Sequence, residues 1–171
     1  MLETLTSINW DNLGTPHIPG LLQELASDDR RIQEKAWSGI GETLIPWTAL
    51  EGSRLVSELL SLPSRAALYV TIPLLVELLS YEAITSKDLI LDLLNDIARY
   101  VEADMFVPQE PKSEKELYRS NARQAFDAVA DGKPTYDGLT NSPLPDVAAN
   151  AKHILRELDR LSNLIEGWNT I

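Results

Sequence analysis

The chain contains no cysteine. That absence removes structural disulfides, thiolate zinc sites, iron–sulfur clusters and cysteine nucleophiles together. It fits a reducing compartment. Long hydrophobic runs are missing too. The stretch LYVTIPLLVELL carries Glu77 and falls short of the roughly 20 apolar residues that span a bilayer. The opening MLETLTSINWDNL has no basic segment followed by an apolar one, so no secretory signal is expected there. These features together predict a cytoplasmic protein.

Bases are scarce. Fifteen Lys and Arg face 26 Asp and Glu, for a net charge of -11. Nucleic-acid binding depends on neutralising phosphates, so this balance disfavours it. It disfavours anionic membrane surfaces as well. A basic protein partner remains compatible. Catalytic signatures are equally lacking. There is no HExxH, P-loop or GxSxG pattern, and the two histidines, His17 and His153, lie far apart in sequence. No metal and no cofactor is expected. No long segment between turn signals alternates strictly between apolar and polar, so strands are not expected either.

What is present is helical periodicity, given more than once. Residues 18–27 read IPGLLQELAS and residues 72–81 read IPLLVELLSY; their Ile-Pro steps are 54 residues apart. Both continue into Leu-Leu-x-Glu-Leu. Ile18, Leu21, Leu22 and Leu25 fall on one helical face, and Ile72, Leu75, Val76 and Leu79 repeat that spacing. Each Pro is expected in or near the first turn, where its missing N–H costs little.

A second amphipathic segment follows each copy. After the first, Asp28 and Asp29 offer a cap. Ile32, Ala36, Ile40 and Leu44 then form a stripe that Trp37 broadens, and Pro46 ends it. After the second, Thr85 or Ser86 is expected to cap a helix with Leu89, Ile90, Leu93, Leu94, Ile97 and Val101 inward. A third, weaker pair opens on the capping box Ser113-x-x-Glu116, with Leu117, Ala122, Ala125, Phe126 and Val129 inward. It closes with a helix from about Asp146 to Ile165 carrying Val147, Ala151, Ile154, Leu155, Leu158 and Leu161. Between these two, GKPTYDGLTNSPLP reads as a loop. SRLVSELLSL, near 53–62, reads as an extra helix, Pro63 as a break, and ADMFVPQEPK as a loop.

The predicted fold is therefore all-α. It is a short, irregular α-solenoid of about three antiparallel helix pairs, near 17–46, 65–103 and 113–165, in a single domain. One pair cannot bury both of its stripes, so neighbours must stack.

In its Ile18-Pro19 to Ser27 segment with Asp28–Asp29, its Ile72-Pro73 to Leu79 segment and its closing Pro145-Asp146-Val147 helix, the chain resembles bacterial HEAT-repeat proteins. These include the HEAT-like lyase repeats. The resemblance covers about residues 10 to 165. It implies a HEAT-like superhelix with an inner face built from the second helix of each pair. Such repeats often carry an Arg just after the apolar residue that opens the second helix. Gln33 and Ala148 stand there in this chain, so the charged ladder between repeats is expected to be lost.

One constellation stands out as a binding surface. Asp88, Asp92 and Asp96 are spaced i, i+4, i+8 and share a helix face, at a small electrostatic cost. From Glu77 to Glu110 there are eight acids against Lys87 and Arg99. A solvated outer stripe is the plain alternative. Trp47, in a connection after Pro46, is a candidate interface anchor, whereas Trp37 reads as core and Trp10 and Trp168 as caps on the ends of the core. Gly39 and Gly41 read as helix-packing positions, and His17 as a turn or cap residue. The functional expectation is a non-catalytic module. It binds a basic protein partner through an acidic concave face, as an inhibitor or immunity-type protein would. A HEAT-like lyase or chromophore-binding protein is the alternative, and would need a deep polar pocket near His17 or Tyr69. An oligomer formed through the solenoid ends is the third possibility.

Overall fold

The computed structural model describes residues 2–45, 62–105 and 112–168. Among these every regular element is an α-helix. The helices are α1 (Leu2–Ser7), α2 (Ile18–Leu25), α3 (Arg30–Leu44), α4 (Leu62–Ser80), α5 (Lys87–Met105), α6 (Lys112–Ala130), α7 (Lys133–Leu139) and α8 (Pro145–Trp168). None of them is long and apolar enough to cross a membrane.

α2 and α3 pack against each other as a hairpin. Pro19 sits in the first turn of α2, where no intrahelical donor is lost. Asp29 caps α3 by accepting from the Arg31 backbone N–H at 2.9 Å, which satisfies one of the orphan donors at the helix start. Ala36, Ile40 and Leu44 are buried as their spacing predicts. Ile32 is not: it is 40% exposed, while Gln33 is only 2% exposed. Side chains tilt toward the helix N-terminus. That tilt carries Ile32, in the first turn, past the edge of the core. Gly39 meets the other half of the hairpin, since a Cβ there would lie 3.1 Å from the Leu21 side chain. Its absent side chain lets α2 and α3 approach.

α5 is the central helix. It packs along α8 and α6 and also touches α3 and α4. Ile90, Leu91, Leu93, Leu94, Ile97, Ala98 and Tyr100 are all buried on it. An apolar face wider than one stripe is what a helix with neighbours on several sides requires. α4 packs along α6 and buries Leu74 and Leu78 as well as Ile72, Leu75 and Leu79.

Several boundaries differ from the sequence expectation. α4 starts at Leu62, so Pro63 opens this helix instead of breaking the chain before it. Pro73 consequently lies in the helix interior, not in its first turn. It is on the exposed side of the helix. α5 runs on to Met105, into the segment expected as a loop. The segment expected as a loop after Gly132 contains α7. There Pro134 takes a first-turn position, and Tyr136, fully buried, donates to the Val129 carbonyl at 3.0 Å. Turn-forming residues mask a helix whose single aromatic anchor is enough to dock it. α6 is described from Lys112, which places Ser113 inside the helix and not ahead of it. Most of the extra helix expected near 53–62 lies outside the described residues.

The N-terminal segment is held by one aromatic. Trp10 is buried and its indole N–H donates to the Leu5 carbonyl at 2.9 Å. Gly14, with φ of 67°, makes the left-handed step that returns the chain toward α2.

Candidate functional site

The three candidate aspartates lie on α5, which contacts both α3 and α8. Asp88, Asp92 and Asp96 do share one face of α5, and it is the partly exposed one. Their surroundings differ down the helix.

Asp88 is occupied within the chain. Its carboxylate takes two hydrogen bonds from the Arg30 guanidinium, of 2.9 and 2.7 Å. This is the fork geometry that makes arginine–carboxylate pairs specific. The pairing raises the Arg30 pKa above its already high ordinary value, chiefly through the hydrogen bond to Asp88. Asn150 of α8 donates to the Asp88 backbone carbonyl at 3.1 Å. The head of α5 is thus tied to α3 on one side and to α8 on the other.

The turn before α5 carries two further ties. Gln33 donates to Thr85 Oγ1 at 2.7 Å and also to the Ser27 carbonyl. Ser86 donates to the Leu25 carbonyl at 2.6 Å, one of the orphan acceptors at the end of α2. Both hydroxyls expected as caps are thereby spent between helix pairs. The polar connection that appeared lost with the missing arginine is made by the amide of Gln33 and by the Arg30–Asp88 pair.

Asp92 and Asp96 are different. Burial pushes the Asp92 carboxyl above its ordinary pKa, with Asp88 adding to the rise and Arg99 and His153 opposing it. Burial is also the main cause at Asp96, where Asp92 adds to it and Arg99 opposes it, and the pKa stands at about 6. The Asp96 side chain is 13% exposed and meets Arg99 at 3.5 Å, the outer limit of a hydrogen bond. Arg99 in turn lies 3.4 Å from His153 Nε2 on α8. These two carboxylates are desolvated without a close ionic partner of the kind Asp88 has.

Asp96 also opens onto a hollow of about 180 Å³ between α3 and α5, lined by Trp37, Ser38, Gly41, Glu42, Leu93 and Asp96. Nothing in the sequence signals this site, because its walls come from segments some fifty residues apart that the packing of α3 on α5 brings together. Trp37 is only partly buried, so the expected core residue is also a pocket wall. A second hollow, on α8, is lined by Ala149, Lys152, Leu155 and Arg156. Neither hollow is lined by His17 or Tyr69. His17 holds Thr43 Oγ1 at 2.9 Å across the α2–α3 hairpin. Trp47 lies outside the described residues. Among the described residues, no three acidic or histidine side chains gather where they could hold a metal ion.

No family model, curated protein or solved structure matches this chain.

Proposed function

We propose that this protein is a non-catalytic interaction module that binds a basic protein through the α5 face bearing Asp92 and Asp96. One observation carries the reading: two partly buried carboxylates, one helical turn apart, have among the described residues no cation nearer than Arg99, 3.5 Å from Asp96. An exposed acidic stripe would sit at ordinary pKa values. A desolvated one gains when a partner brings positive charge to it, because that charge offsets the cost of burial. The neighbouring helices favour the same reading. α3 and α8 both contact α5, as the second helices of a HEAT-like solenoid do, so the acidic face of α5 would belong to the surface such a solenoid presents. An inhibitor or immunity-type role toward a basic target belongs to this proposal.

A fluorescent deca-lysine peptide, followed by anisotropy, tests it. The triple variant Asp88→Asn, Asp92→Asn, Asp96→Asn is compared with Asp131→Asn, Asp137→Asn, Asp146→Asn, which removes as many charges from exposed sites elsewhere. The α5 triple is expected to weaken binding at least tenfold more than the control triple. Equal losses would mean that only the overall charge attracts the peptide, and the proposed face would be abandoned.

A further inference from the structure

We infer that the hollow between α3 and α5 is a receptor for a single arginine side chain of the partner. This rests on the proposed acidic face and gives it a point of specific recognition.

The walls of the hollow carry three kinds of chemistry. Trp37 provides an aromatic wall. Its Nε1 is buried and has no hydrogen-bond partner among the described residues, so the part of the indole left at the surface is carbon. Leu93 and Gly41 complete the apolar part. Two carboxylates from different helices complete the polar part: Glu42 from α3 and Asp96 from α5. Ser38 donates to Glu42 Oε1 at 3.0 Å, which orients that carboxylate. The chain's own cation in the neighbourhood, Arg99, touches Asp96 at 3.5 Å and is not among the lining residues.

An aromatic surface flanked by carboxylates selects a cation. Cations are attracted to the faces of indole rings, and arginine stacks there more often than lysine. The guanidinium also offers several donors in one plane, which suits two carboxylates approaching from different helices. Size agrees. The hollow, of about 180 Å³, is on the scale of one long side chain. A neutral side chain of the same shape would leave the part-buried Asp96 carboxylate facing an uncharged group.

Binding depends on pH through Asp96, which faces Asp92 along α5 and Arg99, itself 3.4 Å from His153 of α8. Asp96 must be ionised to receive the cation, and its pKa in the free protein is about 6. Below that value, binding has to expel a proton. Affinity is therefore expected to fall roughly tenfold between pH 7 and pH 5.

The test is an NMR titration of the full chain with N-acetyl-argininamide, using its neutral isostere N-acetyl-citrullinamide as control. The reporters are the Trp37 indole N–H and the Gly41 amide. A saturable shift with the arginine compound and none with the citrulline compound is expected. Glu42→Gln lies at an exposed position, so its folding is secure, and it should weaken binding several-fold. Asp96→Asn should weaken binding and reduce the pH dependence, leaving the smaller part that Asp92 contributes. Equal shifts with both compounds would overturn the inference. If deca-lysine still needs the α5 aspartates while N-acetyl-argininamide leaves Trp37 unmoved, the arginine site falls and the broader acidic face stands. If N-acetyl-argininamide binds as described but the α5 triple loses no more peptide affinity than the control triple, the hollow stands and the broader face falls.

Discussion

Arg30, the first residue of α3, grips Asp88, near the start of α5, through two hydrogen bonds of 2.9 and 2.7 Å. The two residues are 58 positions apart in the chain, and their pair ties α3 to α5. Its arginine is 48% exposed and its aspartate 23% exposed, so its energy is limited by solvent. A double-mutant cycle with Arg30→Ala and Asp88→Ala, read by urea denaturation, is expected to give a coupling of about 0.5–1 kcal/mol, smaller in high salt. A coupling of zero would mean that the fork geometry adds nothing to holding the hairpins together.

Gln33 should matter more than Arg30, although it carries no charge. Its side chain is buried and donates to both Thr85 and the Ser27 carbonyl. Replacement by Leu leaves those acceptors without their donor. The expected loss is about 1–3 kcal/mol, measured as a shift of the urea midpoint at constant slope. Replacement of the adjacent Ile32, exposed at the surface, by Gln is expected to change stability by less than about 0.5 kcal/mol. The pair of results would separate the observed register of α3 from the one in which Ile32 is core.

Gly132 is tightly constrained by its neighbour Tyr136. A Cβ there would fall 2.3 Å from the Tyr136 hydroxyl and 2.5 Å from the ring carbon bearing it. Tyr136 is fully buried and cannot swing aside cheaply. Gly132→Ala is therefore expected to cost about 1–3 kcal/mol by overpacking. Tyr136→Phe, which gives up only the bond to the Val129 carbonyl, should cost about 1 kcal/mol. Thermal denaturation of both variants checks the order. A silent Gly132→Ala would mean that α7 docks more loosely than its aromatic anchor indicates.

The pH dependence of stability has a definite sign at Asp96. Its folded-state pKa, about 6, stands above the ordinary value of 3.8. Between those two values the folded protein holds a proton that the unfolded chain has lost. Stability contributed by this group is thus fully present below pH 3.8, declines as pH rises through the window and is at its lowest above pH 6. Asp96→Asn removes the ionisation and should stabilise the protein at pH 7, by at most about 3 kcal/mol. The gain should shrink toward pH 4. A variant that is less stable than the parent at pH 7 would show that the Arg99 contact outweighs the burial of the carboxylate.

Much of this architecture is written in the spacing of apolar residues. The periods in α2, α3, α5 and α8 mark helices because a 3.6-residue repeat puts Ile18 with Leu22 and Leu25, or Ala36 with Ile40 and Leu44, on one side whatever they later touch. The common face of Asp88, Asp92 and Asp96 follows from the same geometry. Tertiary packing decided what that geometry means. It left Ile32 outside and Gln33 inside, because the edge of the core falls within the first turn of α3. It converted a run of turn-forming residues into α7 by giving Tyr136 a pocket. It neutralised Asp88 with an arginine from another hairpin and left Asp96 half-desolvated beside Trp37 and Glu42. Periodicity is local and survives in any single helix. Partnership is not local, because a charge's neighbours, and therefore its energy, exist only once distant helices have packed.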